Sequence, residues 1–152
     1  MLVPKATILL IRHAAHAHLG QVLSGRTAGG QLTFEGVKQA QQLARHLAHE
    51  TITEVHTSPV LRARETAQEL AATLGTDARI DDAFNEVDFG EWTGRSFGDL
   101  ARDSRWRMWN GNRAQARAPD GESMMEQDPG FDPEISQVEQ VSAVHDRINI
   151  SH

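Results

Sequence analysis

The chain has 152 residues and no cysteine, with 15 Lys and Arg against 21 Asp and Glu, a formal net charge of -6 with neutral histidines. Thiol chemistry and disulfides are excluded, nucleic-acid binding is disfavoured by the acidic balance, and the length suits one core without a large second domain. No apolar run reaches the length of a membrane span and Met1 to Ala6 lacks a signal-peptide pattern, so the expectation is a cytoplasmic protein with no membrane partner.

Ala6 to Ile11 is an almost unbroken apolar run with a β-branched bias, which predicts a strand buried on both faces of a parallel sheet. Arg12 and His13 follow at its carboxyl end, the edge where open α/β sheets bind ligands, and a cation beside an imidazole there suits an anion. A capping arginine and a loop-filling histidine compete with that reading. Thr33 then predicts a helix N-cap, with Val37, Ala40, Leu43, Ala44, Leu47 and Ala48 forming one apolar face behind it. Glu54 to Thr57 reads as a short strand. Ser58 is expected to cap the next helix, with Pro59 at its first position and Ala63, Ala67, Leu70, Ala71 and Leu74 on its buried side, closed by Gly75. Arg62 then falls in the first turn, where unpaired amides and the dipole already favour an anion.

Ala78 to Ile80 completes a β-α-β-α-β order, which predicts a mainly parallel sheet between helical layers. Asn85 to Gly94 reads as a folded loop in which Phe89 and Trp92 can bury one side of Glu86. One or two short helices are expected over Ser96 to Trp109, with Trp106 and Trp109 packing at i, i+3. Arg102, Arg105, Arg107, Arg113 and Arg117 read as mostly solvated, with one or two able to reach a substrate carboxylate.

Five segments in this order resemble the histidine phosphatase superfamily, the phosphoglycerate-mutase-like family, and specifically its small bacterial-type phosphatases. They are Arg12-His13; Leu32 to Ala40 with its leucine-threonine, glycine and glutamine-alanine; Ser58 to Ala67 with Arg62; Glu86 to Gly94; and Pro119 to Met124 with its glycine-glutamate-serine turn. The resemblance spans Ala6 to about Glu126. It implies an α/β three-layer sandwich with a mainly parallel central sheet flanked by helices, formed by one domain over residues 1–152, and it requires no cofactor or metal.

The resemblance also implies roles. His13 would be the nucleophile, its other ring nitrogen held by a hydrogen bond, and Arg12 and Arg62 would bind the phosphoryl oxygens. Glu86 would protonate the leaving alkoxide and later take a proton from water, which calls for partial burial of its carboxyl. His152, at the end of Ile148-Asn149-Ile150-Ser151-His152, is the candidate second histidine on the phosphoryl group, against the reading of a frayed terminal residue. His145 is a poorer candidate, with no strand-like run before it.

Departures from the family pattern are equally specific. Ala14 stands where the opening signature has glycine, and Ala14 to Gly20 replaces its glutamate-threonine and later asparagine. Residues 126–152 lack the long amphipathic helix expected there, broken by Asp128-Pro129-Gly130 and Asp132-Pro133, so the carboxyl-terminal part reads as shortened. His13, His16 and His18 form a His-x-x-His-x-His run for which a metal is the lesser reading, since no carboxylate accompanies it and two arginines are expected nearby. Gly25 and Arg26 could offer an amide and a cation to the distal part of a substrate, or form a solvated loop.

The expected function is hydrolysis of small phosphorylated metabolites through a phosphohistidine. The alternatives are a phosphoglycerate-type mutase and a catalytically impaired phosphate-binding or interaction protein. A last central strand without its covering helix would expose apolar surface and unpaired backbone, which predicts a homo-oligomer.

Overall fold

The computed structural model describes residues 7–113 and 115–127. By contacts within the chain they belong to two compact units, Thr7 to Arg12 to one and His13 to Gln127 to the other. In the first, Thr7 to Arg12 carries no assigned strand, and Ile8 and Leu10 are 54% and 55% exposed. This differs from the buried strand expected over Ala6 to Ile11. A strand is defined by its ladder, and among the described residues the only sheet pairs two segments of the other unit.

In that larger unit, helix α1 spans Phe34–Leu47 and starts as the sequence predicts: Thr33 Oγ1 accepts from the Gly36 amide at 3.0 Å. Its buried side is Gly36, Ala40, Ala44 and Leu47, and it packs on helix α2, Leu61–Leu74, across the small side chains Ala67 and Ala71. Strands β1, Val55–Thr57, and β2, Ala78–Ile80, pair in parallel with Val55 opposite Ala78, His56 opposite Arg79 and Thr57 opposite Ile80. Helix α2 crosses between them and packs on both, so β1-α2-β2 is a parallel crossover unit.

The start of α2 differs from expectation. Val60 is the N-cap residue, with no side-chain cap, while Ser58 Oγ accepts from the Val60 amide at 3.3 Å. That local turn satisfies the serine two residues too early for it to cap, so the helix begins after Pro59 and Arg62 becomes its second residue. Its end is as predicted, with Gly75 at φ 69° donating its amide to the Ala71 carbonyl.

Beyond β2 the chain makes 3₁₀ turns at Asp82–Phe84 and Gly90–Trp92 and short helices α3, Phe97–Leu100, α4, Ser104–Gly111, and α5, Met124–Gln127. These enclose an aromatic core of Val87, Phe89, Trp92, Leu100, Trp109 and Ala118, with Trp106 against it. Trp106 and Trp109 stack with centroids 5.3 Å apart, and Trp92 meets Trp106 edge-on, also at 5.3 Å. Asp103 caps α4 through the Arg105 amide and accepts from Trp92 Nε1 at 3.3 Å. The Arg105 guanidinium holds its carboxyl well below the usual carboxylate range, so the cap stays charged at the positive end of the helix. Among the described residues, no helix is long and apolar enough to cross a membrane.

Candidate active site

The segment that leaves His13 is clamped between the amino-terminal halves of α1 and α2. The Ala14 amide donates to Thr66 Oγ1 at 3.0 Å, and the same hydroxyl donates to the Arg62 carbonyl one turn earlier at 2.7 Å. The Ala15 amide donates to Gln39 Oε1 at 3.0 Å, and the Ala15 carbonyl accepts from the Thr33 amide at 3.0 Å. Gly36 makes this approach feasible: a Cβ there would lie 1.9 Å from the Ala15 oxygen. Helix propensity alone favours Gly36→Ala by about 1 kcal/mol. The contact wins, because backbone at 1.9 Å must move, and overpacking costs about 3 kcal/mol at the upper end of its usual range. Urea unfolding of Gly36→Ala is expected to show a net loss of about 2 kcal/mol; a gain would contradict the clamp.

His13 is half-buried, and its Nδ1 lies 3.0 Å from the Ala14 carbonyl. A carbonyl only accepts, so Nδ1 carries a proton, and the neutral tautomer compatible with this contact is the one with its lone pair on Nε2. The ring meets His16 edge-on with centroids 4.9 Å apart, and His16 meets His18 at 6.4 Å. Among the described residues, no three histidines or carboxylates converge as a metal site requires.

Arg62 is 3% exposed. Its Nη1 donates to the Gly25 carbonyl at 3.1 Å and its Nη2 to Glu86 Oε2 at 3.4 Å, so the forked end is fixed by groups far apart in sequence. Glu86 is half-exposed, its side chain 38% accessible, and its Oε1 accepts from the Val87 amide at 2.9 Å. Phe89 and Trp92 point into the aromatic core and anchor the loop from below. Arg62 and Glu86 thus meet directly, and His13 is tied to the same helical turn through Ala14 and Thr66.

Arg26 sits among acids. Its Nε donates to the Glu86 carbonyl at 2.6 Å, its Nη2 to Glu122 Oε2 at 2.9 Å, and Asp88 Oδ2 lies 3.8 Å from Nη1. Glu122 Oε2 also takes the Asp88 amide at 3.1 Å. Arg26 therefore clasps the Glu86 loop to the Pro119–Glu122 turn. The two backbones touch where Gly90, φ 49°, faces Pro119: a Cβ on Gly90 would lie 2.0 Å from the Pro119 oxygen. Gly25, φ 48°, accepts from Arg62 and leaves room for Phe89, 3.1 Å from where its Cβ would be.

Arg12 is exposed and is described with the shorter unit. His152, His145 and the broken stretch after Gln127 lie outside the described residues. Of the arginines after Ser96, Arg105 pairs with Asp103 and Glu91, Arg102 with Asp99 and Arg117 with Glu126 at the surface, while Arg113 bonds Asn110. Thr66, Gln39 and Glu122 are the residues that sequence reasoning passed over as motif markers. Thr66 had a signal: a hydroxyl four residues after Arg62 on a helix face otherwise made of alanine and leucine.

The model of the histidine phosphatase superfamily, branch 1, matches residues 8–152. A Schizosaccharomyces pombe protein named as a probable phosphatase is 35% identical over 94 residues, 61% of this chain and 33% of that protein. A Salmonella arizonae protein named as a probable phosphoglycerate mutase is 30% identical over 121 residues, 78% of this chain and 56% of that protein. The crystal structure of an alpha-ribazole phosphatase from Shigella flexneri superposes with a TM-score of 0.70 at 25% identity, covering 85% of this chain and 65% of that one. The chain thus spans between a third and a little over half of the length of these two curated relatives. With the family model matching nearly its whole length, and with the paired Arg62 and Glu86 beside the His13 segment, the chain belongs to branch 1 of the histidine phosphatase superfamily.

Proposed function

We infer that this chain hydrolyses small phosphomonoesters through a phosphohistidine on His13. The observation that carries the reading is the His13 ring itself, with Nδ1 facing the Ala14 carbonyl, the arrangement that selects Nε2 as the attacking nitrogen. In the first step Nε2 attacks phosphorus and the P–O bond to the leaving group breaks, its oxygen taking the proton from the Glu86 carboxyl. In the second, a water gives its proton back to Glu86 as its oxygen attacks phosphorus and the P–N bond breaks, releasing phosphate and restoring His13. Arg62 stabilises the charge on the equatorial oxygens, held in place by its hydrogen bonds to the Gly25 carbonyl and Glu86 Oε2. Arg12 and His152 are assigned to the same phosphoryl group from their sequence motifs, and Gly25 and Arg26 to the wall on the substrate's distal side. The hydrogen bonds of Arg26 support a positioning role toward Glu86 over a direct substrate contact.

The phosphatase name of the fission-yeast relative and the alpha-ribazole phosphatase structure support hydrolysis; the mutase name of the Salmonella relative supports transfer back to substrate as the second reading. Either activity belongs with a cytoplasmic location, and a self-associating chain is part of the proposal. The acid role of Glu86 is tested with Glu86→Gln on two esters. Glutamine cannot donate the proton, so an alkyl phosphate is expected to lose about 10²- to 10⁴-fold in kcat, while p-nitrophenyl phosphate, whose leaving group needs no proton, loses far less. Equal losses on both would remove Glu86 from that role.

A further inference from the structure

His16 is a polar side chain that the proposed chemistry does not use, yet it is 5% exposed and lies against His13. The two imidazoles stand 79° apart with centroids at 4.9 Å, an edge-to-face contact in which one ring's electron-poor rim meets the other's face. His16 is itself held from three sides. Its backbone forms an antiparallel bridge with Leu32, its Nδ1 lies 3.4 Å from the His18 amide that donates to it, and Gly30 backs onto the ring, where a Cβ would lie 3.2 Å from Nδ1. Gly30 has φ 88°, so the chain there takes a conformation suited to glycine and uses the space gained to seat the imidazole.

We propose that His16 is a positioning residue: its buried ring, wedged between the Gly30 backbone and the His13 ring, fixes the plane in which His13 keeps its Nδ1 hydrogen bond to the Ala14 carbonyl. The hydrogen bond sets which nitrogen carries the proton; the ring contact keeps the imidazole in the plane where that bond is made. Displacement of a reacting group by about an ångström costs on the order of 10²-fold in rate. The effect of losing the wedge is expected on kcat, because His16 acts through the orientation of the attacking His13 ring.

This assignment rests on His13 as nucleophile, and the test separates the two. Long-range ¹H–¹⁵N correlation spectra of the whole chain, with the His13 signals identified by their loss in His13→Ala, read the tautomer without turnover. The expected result is one Nδ1–H tautomer in the wild type, the same in His16→Phe, which keeps an aromatic ring against His13, and a tautomer mixture in His16→Ala. Turnover of p-nitrophenyl phosphate is expected to fall between about 10- and 100-fold in kcat in His16→Ala at unchanged KM, and to recover to within a few fold in His16→Phe. Averaged tautomers in the wild type would overturn the proposal. So would a single Nδ1–H tautomer with undiminished kcat in His16→Ala, or equal damage from Phe and Ala. If His16→Ala does not fold, His16→Leu, which fills the space without a ring, takes its place with the same expected tautomer mixture and the same overturning result. A single Nδ1–H tautomer in a wild type that never forms phosphohistidine leaves His16 as the positioning residue and removes the phosphatase reading instead.

Discussion

Replacing His13 with alanine is expected to lower kcat for p-nitrophenyl phosphate by roughly 10⁴-fold or more, the scale on which covalent sites fail when the nucleophile goes. Alanine leaves no lone pair to attack phosphorus, so only unassisted attack by water near the arginine remains. Folding should survive, because His13 is half-buried and the clamp around it is made by the backbone of Ala14 and Ala15 with Thr66, Gln39 and Thr33. Circular dichroism and the urea midpoint should stay close to wild type while steady-state turnover vanishes. Retained turnover would mean that another group attacks phosphorus.

Arg62→Ala is expected to reduce kcat by about 10²- to 10³-fold, the range for losing one donor aimed at developing charge. Arg62 reaches both the Gly25 carbonyl and Glu86, so its loss also releases the carboxyl that serves the leaving group. Arg62→Lys discriminates charge from geometry: an ammonium keeps the charge but has no planar fork to satisfy Gly25 and Glu86 together. The lysine variant should therefore recover affinity for inorganic phosphate or vanadate better than it recovers kcat. Full recovery of both by lysine would show that charge alone was needed, and wild-type kinetics in Arg62→Ala would place the phosphoryl group elsewhere.

The helices were legible because their signals are local and agree with each other. Thr33 caps α1, the apolar repeat Ala40, Ala44 and Leu47 faces inward, and Gly75 ends α2 in the left-handed conformation. The sequence places the start of α2 two residues early because serine followed by proline satisfies two local patterns, and the turn from Ser58 to Val60 takes precedence over a cap. The run over Ala6 to Ile11 has strand composition, but strand composition does not say what the strand pairs with, and no partner for it lies among the described residues.

At the candidate site, the residue types were legible and their connections were not. That Arg62 and Glu86 meet follows from two loops folding onto one helix, a long-range fact with no periodic trace in sequence. Arg26 shows the same limit: an arginine in a glycine turn reads as a solvated or substrate-facing cation, and only tertiary structure brings Glu122 and Asp88 to it. Gly36 and Gly90 were visible as motif glycines, but the backbone oxygens of Ala15 and Pro119 that exclude a side chain there come from segments 21 and 29 residues away.

The central claim is the covalent intermediate, and rapid-quench labelling with a ³²P-labelled phosphomonoester tests it most directly. The predicted result is a phosphoryl label that forms within the first turnover, is stable in base and lost in acid as a phosphoramidate is, maps to the peptide containing His13, and is missing in His13→Ala. No label during measurable turnover, or a label that persists in His13→Ala, would contradict the phosphohistidine mechanism.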